Sequence, residues 1–306
     1  MELMEYHKPA LLRETIDGLS ILPYGRYVDT TFGGGGHSRE ILKQLSERGK
    51  LFAFDQDPDV LANKIDDSRF VFIQQNFAFL KNFLRMYEAI PIDGLLADLG
   101  VSFHQFDLPE RGFSFRFSGP LDMRMDRKGN LTAAKAINAY DESQLENIFK
   151  AYGELRNAKQ IAAKIVAARA VAPIKTVEAL KEVLADMVPE KHQHKFLAQV
   201  FQAIRIEVNA ELKAIEALLN QAVEVLEVGG RLAFISYHSL EDRMVKNFFK
   251  TGNIEGEVKK DFYGNLIRPL KPINTKPIVP SAEEVAKNNR ARSAKLRIAE
   301  KVNVEQ

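Results

Sequence analysis

"DTTFGGGGHSREIL", residues Asp29–Leu42, sets four consecutive glycines between an apolar run and a helical one. A glycine inside a helix or strand costs about 1 kcal/mol relative to alanine. Four in a row therefore point to a demand on the backbone. A glycine-rich turn between a first strand and a first helix meets such a demand. It lets a ligand approach the main chain and aims free N–H groups at it. Gly33, Gly34, Gly35 and Gly36 line the turn, and the helix starts near Gly36.

The flanking sequence has the rhythm such a turn requires. Arg26–Phe32 reads as a first strand and Gly36–Arg48 as its helix. Leu51–Asp57 is a second strand, with helix resuming after Pro58. Phe70–Gln74 is a third, followed by a helix near Phe79–Met86, and Asp93–Leu99 is a fourth. Short apolar runs separated by helices suit strands buried on both faces of a parallel sheet. The rhythm then breaks. From about Val101 to Gln199 no strand is read, and helices are expected near Thr132–Ala139, Asp141–Ala151, Glu154–Ala170 and Thr176–Met187, the last with Thr176 as N-cap.

A long helix carries Leu197, Val200, Ile204, Val208, Leu212, Ile215, Leu219 and Leu226 at helical spacing, with a C-cap at Gly229-Gly230. Arg231–Tyr237 is a fifth strand and Ser239–Lys250 a helix. Val258–Lys276 reads as further strands or a hairpin about a Tyr263–Asn265 turn. Ser281 and Glu284 form a capping box, and Ala294, Leu296 and Ile298 alternate with polar residues as a final strand. The expectation is an α/β sheet domain from residues 1–106 and 206–306, interrupted by an all-helical insert at 107–205.

The chain has 306 residues and no cysteine, which excludes disulfides and thiolate metal sites and agrees with a reducing compartment. Glu2 and Glu5 stand where a signal peptide needs apolar residues, and no uncharged apolar run is long enough to span a membrane. A soluble, cytoplasmic protein is expected. His192 and His194, with only Glu190 beside them, do not make a metal site, and none is expected. Net charge is +2, but residues from Arg243 onward carry 14 Lys/Arg against 7 Asp/Glu. That basic segment is either a solvated surface or a contact for a polyanion.

Two acids follow the glycine turn. Asp55 ends the second strand, roughly twenty residues on, where an acidic residue binds ribose hydroxyls in nucleotide sites. Asp98 ends the fourth strand, where the insert begins. The dinucleotide fingerprint G-x-G-x-x-G/A is met imperfectly, because Ser38 takes its last position. Asp29 beside the turn would repel a pyrophosphate. It suits a ligand with a cationic amino-acid moiety and no phosphate, and so favours S-adenosylmethionine.

At this point a longer resemblance is carried by "YHKPALLRE", "DTTFGGGGHS", "FDQDP", "LADLGVS", "ERGFSF", "LDMRMD", "YGELRNAKQIA", "FQAIRIEVN", "ISYHSLEDRMVK" and "KPIVPSAEEVAKNNRARSAKLRIAEK". Together they resemble the bacterial small-subunit rRNA (cytosine-N4)-methyltransferases, the MraW or RsmH family, over nearly the whole chain. The resemblance implies a class I, Rossmann-like methyltransferase fold with an inserted helical domain. It implies S-adenosylmethionine as methyl donor and the N4 amine of a decoding-centre cytidine of 16S rRNA, in the small ribosomal subunit, as acceptor. Donor contacts would fall on Gly35, Gly36, His37, Asp55, Phe77, Asp98 and Gln105. Two departures stand out: Gly34 replaces a residue often charged in relatives, and Phe103-His104-Gln105 replaces their Ser-Pro-Gln.

The chemistry narrows the candidates. A cytosine N4 amine is a poor nucleophile and must shed a proton as charge builds. Asp98 can accept from N4–H or from the donor's amine. His238 is either a general base or a residue that orients its loop, and Tyr237 either stacks on a flipped base or packs in the core. Phe103, Phe106, Phe113, Phe115 and Phe117 are local core or walls of a base pocket. Arg111, Arg116, Arg124 and Arg127 interleave with them; they face RNA or are neutralised by Asp122 and Asp126. Arg290, Arg292, Lys295 and Arg297 in the basic segment are expected to meet phosphates. The alternatives are the same fold acting on another RNA or DNA amine, and a non-catalytic RNA-binding assembly factor.

Overall fold

The computed structural model describes residues 9–264 and 266–303. Seven strands form one sheet: β1 (Arg26–Asp29), β2 (Lys50–Asp55), β3 (Phe70–Gln74), β4 (Ile92–Asp98), β5 (Leu226–Ser236), β6 (Leu270–Pro272) and β7 (Lys295–Lys301). Their order is β3-β2-β1-β4-β5-β7-β6. β1 to β5 are parallel, and β7 runs antiparallel to both β5 and β6. This is the Rossmann-like sheet that the resemblance implies. The switch point lies at β1, with β2 on one side and β4 on the other, so the carboxyl ends of these strands open onto the ligand crevice.

Alternation along each strand supplies two faces. Phe52 and Phe54 join Leu95, Phe234 and helix residues Leu218, Leu219, Val245 and Phe248 in one buried cluster. Leu51 and Ala53 turn the other way, to Leu96, Ile235, Leu296 and Ile298, under Ile16, Leu19, Ile41 and Leu42. Both faces are covered, which is why the strands read as continuous apolar runs.

The chain divides into two compact units, residues 1–100 with 212–306, and residues 101–211. The second is helical and has its own core, in which Phe149, Ile161, Ile165, Leu180, Val200 and Ile204 are buried. Its helices span Ala133–Ala139, Glu142–Ala151, Ala158–Val171, Val177–Leu184 and Glu190–Asn209, and Thr176 caps the fourth through a bond from Ala179 N–H. Two amides tie its loops: Asn138 exchanges two bonds with Ile174, and Asn209 grips Met123 O and Met125 N–H. The unit boundaries fall at 100/101 and 211/212, outside the 107–205 drawn from the sequence, because the segment from Val101 and the end of the Glu190–Asn209 helix pack in this core.

Five local expectations are corrected. The segment after Pro58 is a single 3-10 stretch, Pro58–Asn63. The long helix is two, Glu190–Asn209 and Glu211–Val225, broken at Ala210 with φ 48°. Apolar spacing runs through a one-residue break, so periodicity does not register it. Gly229 and Gly230 are not its cap; they lie in β5, where the register to β4 jumps between Ile92↔Leu226 and Gly94↔Arg231. Among the described residues between Val258 and Lys276 only β6 and a Lys260↔Leu266 bridge form; Asn265 of the expected turn lies outside them. Ser281 caps its helix as expected, but Glu284 Oε1 accepts Leu11 N–H at 2.7 Å instead of closing the box.

Ile298 sits mid-strand in β7, buried between β5 and β6. Ile298→Ala should cost about 2–5 kcal/mol of folding free energy, read as a lower urea midpoint at unchanged m-value.

Candidate active site

β1, β2 and β4 are neighbours, and each ends in an aspartate. The register that pairs them brings Asp29, Asp55 and Asp98 to one end of the sheet. Asp29 is buried and accepts Ser38 Oγ–H at 2.7 Å and Thr31 N–H at 3.1 Å. Asp55 accepts Gly33 N–H and Asp57 N–H, both at 2.9 Å, and so locks the glycine turn to β2. Asp98 accepts the Tyr237 hydroxyl at 2.8 Å, and its own N–H donates to Thr31 Oγ1 at 2.7 Å.

Burial pushes all three carboxyls up, Asp29 and Asp55 to about 6 and Asp98 to about 7. The negative charge of Asp29 adds to the rise at Asp55 and Asp98, and the hydrogen bonds work against it. Among the described residues no lysine or arginine pairs with any of them.

The glycines answer two separate demands. Gly35 has φ 72°, and a Cβ there would lie 2.8 Å from the Phe32 ring. Gly36 opens the helix Gly36–Gln44 and packs on Pro9, whose Cγ would stand 2.3 Å from an added Cβ. His37 follows, buried, with Nδ1 3.9 Å from Asp98 Oδ2. Burial lowers its pKa to about 4 against an opposing bond to the Ala10 backbone, so it is neutral near pH 7 and forms no ion pair with Asp98. Phe77 lies past β3 in a 3-10 turn capped by Asn76, half-buried against the sheet core.

β5 leads into Tyr237 and His238, and the helix Ser239–Thr251 follows. Glu241, wholly buried, accepts Tyr237 N–H at 2.9 Å and His238 N–H at 3.3 Å through Oε2, while Oε1 lies 3.1 Å from His238 Nε2. The Glu three residues after His238 is the capping-box signal that could have revealed this cradle. The bond from Tyr237 to Asp98 joins residues 139 apart and has no sequence signal. Gln105 belongs to the helical unit, where its side chain accepts Ser102 N–H at 3.1 Å in the capping box of a short helix, Phe103–Asp107.

Residues 4–302 match the MraW methylase family. The chain belongs to that family. It is 58% identical over 299 residues to the Ribosomal RNA small subunit methyltransferase H of Flavobacterium johnsoniae, a match covering 98% of this chain and 99% of that one. The protein of the same name from Phocaeicola vulgatus is 55% identical over 97% of each chain. That of Christiangramia forsetii is 54% identical over 99% of this chain and all of its own length.

The donor of an MraW methylase must fit the residues present, and S-adenosylmethionine does. It carries a sulfonium and an ammonium, and the site offers buried or partly buried carboxylates that no lysine or arginine among the described residues pairs with. A phosphate-bearing ligand would meet the same three acids and be repelled.

The arginines separate into two groups. Arg111 is buried in the helical unit, donating to Arg124 O and Met125 O with its guanidinium 5.8 Å from the Phe113 ring centre. It is a strut and is withdrawn from the expected RNA contacts. Arg297 is withdrawn too: it is buried and donates to Asp242 at 2.7 Å, and Lys295 stands 3.5 Å from the same carboxylate. The polar face of β7 is covered by the helix that carries Asp242. Arg124 pairs with Asp122 through two bonds. Arg116, Arg290 and Arg292 are exposed. Of the phenylalanines, Phe113 is core and Phe115 packs on Phe201 and His194, whereas Phe117 is exposed. No helix among the described residues is long and apolar enough to cross a membrane.

Because folding raises the proton affinity of Asp29, Asp55 and Asp98, ligand-free stability owes them most below about pH 4 and loses that share as pH rises through about 6 to 7. Unfolding midpoints measured from about pH 5 to about pH 8 should therefore fall for the native chain and fall less for Asp29→Asn.

Proposed function

We propose that this chain transfers a methyl group from S-adenosylmethionine to the N4 amine of a cytidine in the decoding centre of 16S rRNA, within the small ribosomal subunit. The observation that carries the reading is the set of three strand-end carboxylates beside a glycine turn, Asp29 buried and Asp55 and Asp98 partly buried, which no lysine or arginine among the described residues pairs with. The names of the relatives supply the rRNA and the small subunit.

When bound, the donor supplies an electrophilic methyl on a cationic sulfur. Asp55 would hold its ribose, and Asp29 and the turn of Gly35, Gly36 and His37 would hold its amino-acid end. Phe77, on the turn after β3, would lie beside the adenine. Asp98 is the proton acceptor. Its Oδ1 is held by the Tyr237 hydroxyl, so Oδ2 is the oxygen that takes the proton N4 sheds as the new bond forms. An acid titrating near 7 is suited to that task at neutral pH. His238 is a positioning residue: Glu241 Oε2 accepts its N–H and that of Tyr237, and so fixes the backbone from which the Tyr237 hydroxyl reaches Asp98. Arg116 in the helical unit, and separately Arg290 and Arg292 in the sheet unit, are exposed and available to rRNA phosphates.

The test is tritiated methyl transfer to small subunits that lack the modification, followed by nucleoside analysis. N4-methylcytidine is expected; label on another base, or none, sinks the reading. Asp98→Asn should lower single-turnover methylation about 100-fold or more with rRNA affinity unchanged.

The Tyr237 hydroxyl holds the Asp98 pKa down. Tyr237→Phe should therefore keep more of Asp98 protonated at neutral pH, move the acid limb of the rate profile to higher pH, and recover rate as pH is raised. An unmoved limb with a uniformly lower rate would assign Tyr237 to packing alone.

A further inference from the structure

The stretch between the helix Ser239–Thr251 and β6 carries a surface that the donor site does not use. Ile267 N–H donates to Lys259 O at 2.9 Å and Lys260 bridges Leu266, so this stretch doubles back as a short arm. Its tip is an Asx turn in which Asp261 Oδ1 accepts Tyr263 N–H at 2.9 Å and Asp261 O accepts Gly264 N–H at 3.1 Å. The turn drives Phe262 and Tyr263 into solvent, 98% and 86% exposed, with their rings edge to face 5.6 Å apart. Val258, Leu266 and Ile267 are exposed on the same arm. Single exposed apolar residues are ordinary on a protein surface; two adjacent aromatic rings on a structured tip are not.

Cations accompany them. Lys259 and Lys260 are exposed on the arm, Lys250 and Lys271 at its base, and Arg268 donates to Lys250 O at 3.4 Å. Glu255 and Glu257 lie on the entering strand of the arm, and the Asp261 carboxylate is used by the turn. The register fixes where the arm leaves the sheet. Leu270 pairs with Lys301 and Arg231 with Glu300, so the arm departs from the amino end of β5, opposite the carboxyl ends that hold the three aspartates. At about 3.3 Å per residue the two ends are separated by about 20 Å. The arm is therefore remote from the reacting nucleotide.

We propose that this arm is a second contact with the RNA substrate, in which Phe262 and Tyr263 stack on unpaired bases while Lys259 and Lys260 face the adjoining phosphates. The inference rests on the rRNA reading given above. Rings flanked by lysines are the composition that grips single-stranded nucleic acid, because every base offers a π face and stacking tolerates any sequence. A membrane plane would bring Glu255 and Glu257 against anionic lipid, whereas a strand can follow the lysine side alone. A second copy of the chain, docked arm to arm, would set these lysines against their own copies.

The chain has no tryptophan, so Phe262→Trp makes its tip the sole indole in the protein. At 98% exposure the change leaves the fold intact. Labelled 16S rRNA titrated against this variant, with binding followed separately by anisotropy, should quench the indole emission as the complex forms. Phe262→Ala/Tyr263→Ala should weaken rRNA binding about tenfold or more with the salt slope unchanged, and Lys259→Ala/Lys260→Ala should flatten the slope. S-adenosylmethionine affinity should stay at the native value in all three. Binding without a change in emission overturns the arm alone. So does a blue shift on phosphatidylserine vesicles with no quench by RNA. A native chain that binds no rRNA at all overturns the reading beneath it as well.

Discussion

Holding three carboxylates together at one end of a parallel sheet is the constraint that the surrounding structure answers. Asp29, Asp55 and Asp98 end adjacent strands, so the pairing that builds the sheet also forces them into company. Their oxygens are met by neutral donors: hydroxyls of Ser38 and Tyr237, and backbone N–H groups of Thr31, Gly33 and Asp57. Neutral donors satisfy lone pairs and leave the charge standing. A lysine there would stabilise the folded chain and occupy the place of a cationic ligand. Stability is given up at this point so that a ligand can restore it.

Elsewhere the chain treats charge in the opposite way. Arg111 ends on two carbonyls, Arg124 on Asp122 and two more carbonyls, and Arg297 on Asp242. These guanidinium groups act as cross-braces for loops and for a sheet face, each with its donors matched to acceptors within the same unit. The positive excess of the segment from Arg243 onward is partly internal, at Arg297, and the share that reaches solvent includes Arg290, Arg292 and the lysines around the Phe262 tip.

The first four strands and the strand "RLAFISY" were legible because each is a short apolar run between turn residues, and nothing distant competes with that signal. The site was legible as far as it hung on strand ends: the glycine turn, Asp29, Asp55 and Asp98 follow from counting along the chain. What two remote segments do to each other was not. Arg297 alternates with Leu296 and Ile298 as a half-exposed strand should, yet the helix bearing Asp242 covers its polar side. The break at Ala210 escaped because one residue in a left-handed conformation leaves the apolar stripe in phase. Tyr237 could be placed beside the sheet, but its hydroxyl partner comes from β4, on the far side of the helical segment in sequence.

β7 lies between β5 and β6, although both precede it in the chain. Until it arrives, β6 has no partner and β5 shows an open side with unpaired N–H and C=O groups, a template for the wrong neighbour. Synthesis proceeds at about 5–20 residues per second, so the stretch from β6 to β7 leaves that gap open for about one to several seconds. β5 itself pairs with β4 only after the whole helical unit has emerged. Closure of the sheet is therefore a late event, made of contacts between residues distant in sequence, and such topologies fold slowly. A nascent chain of this kind has reason to be shielded until its last strand slides into place.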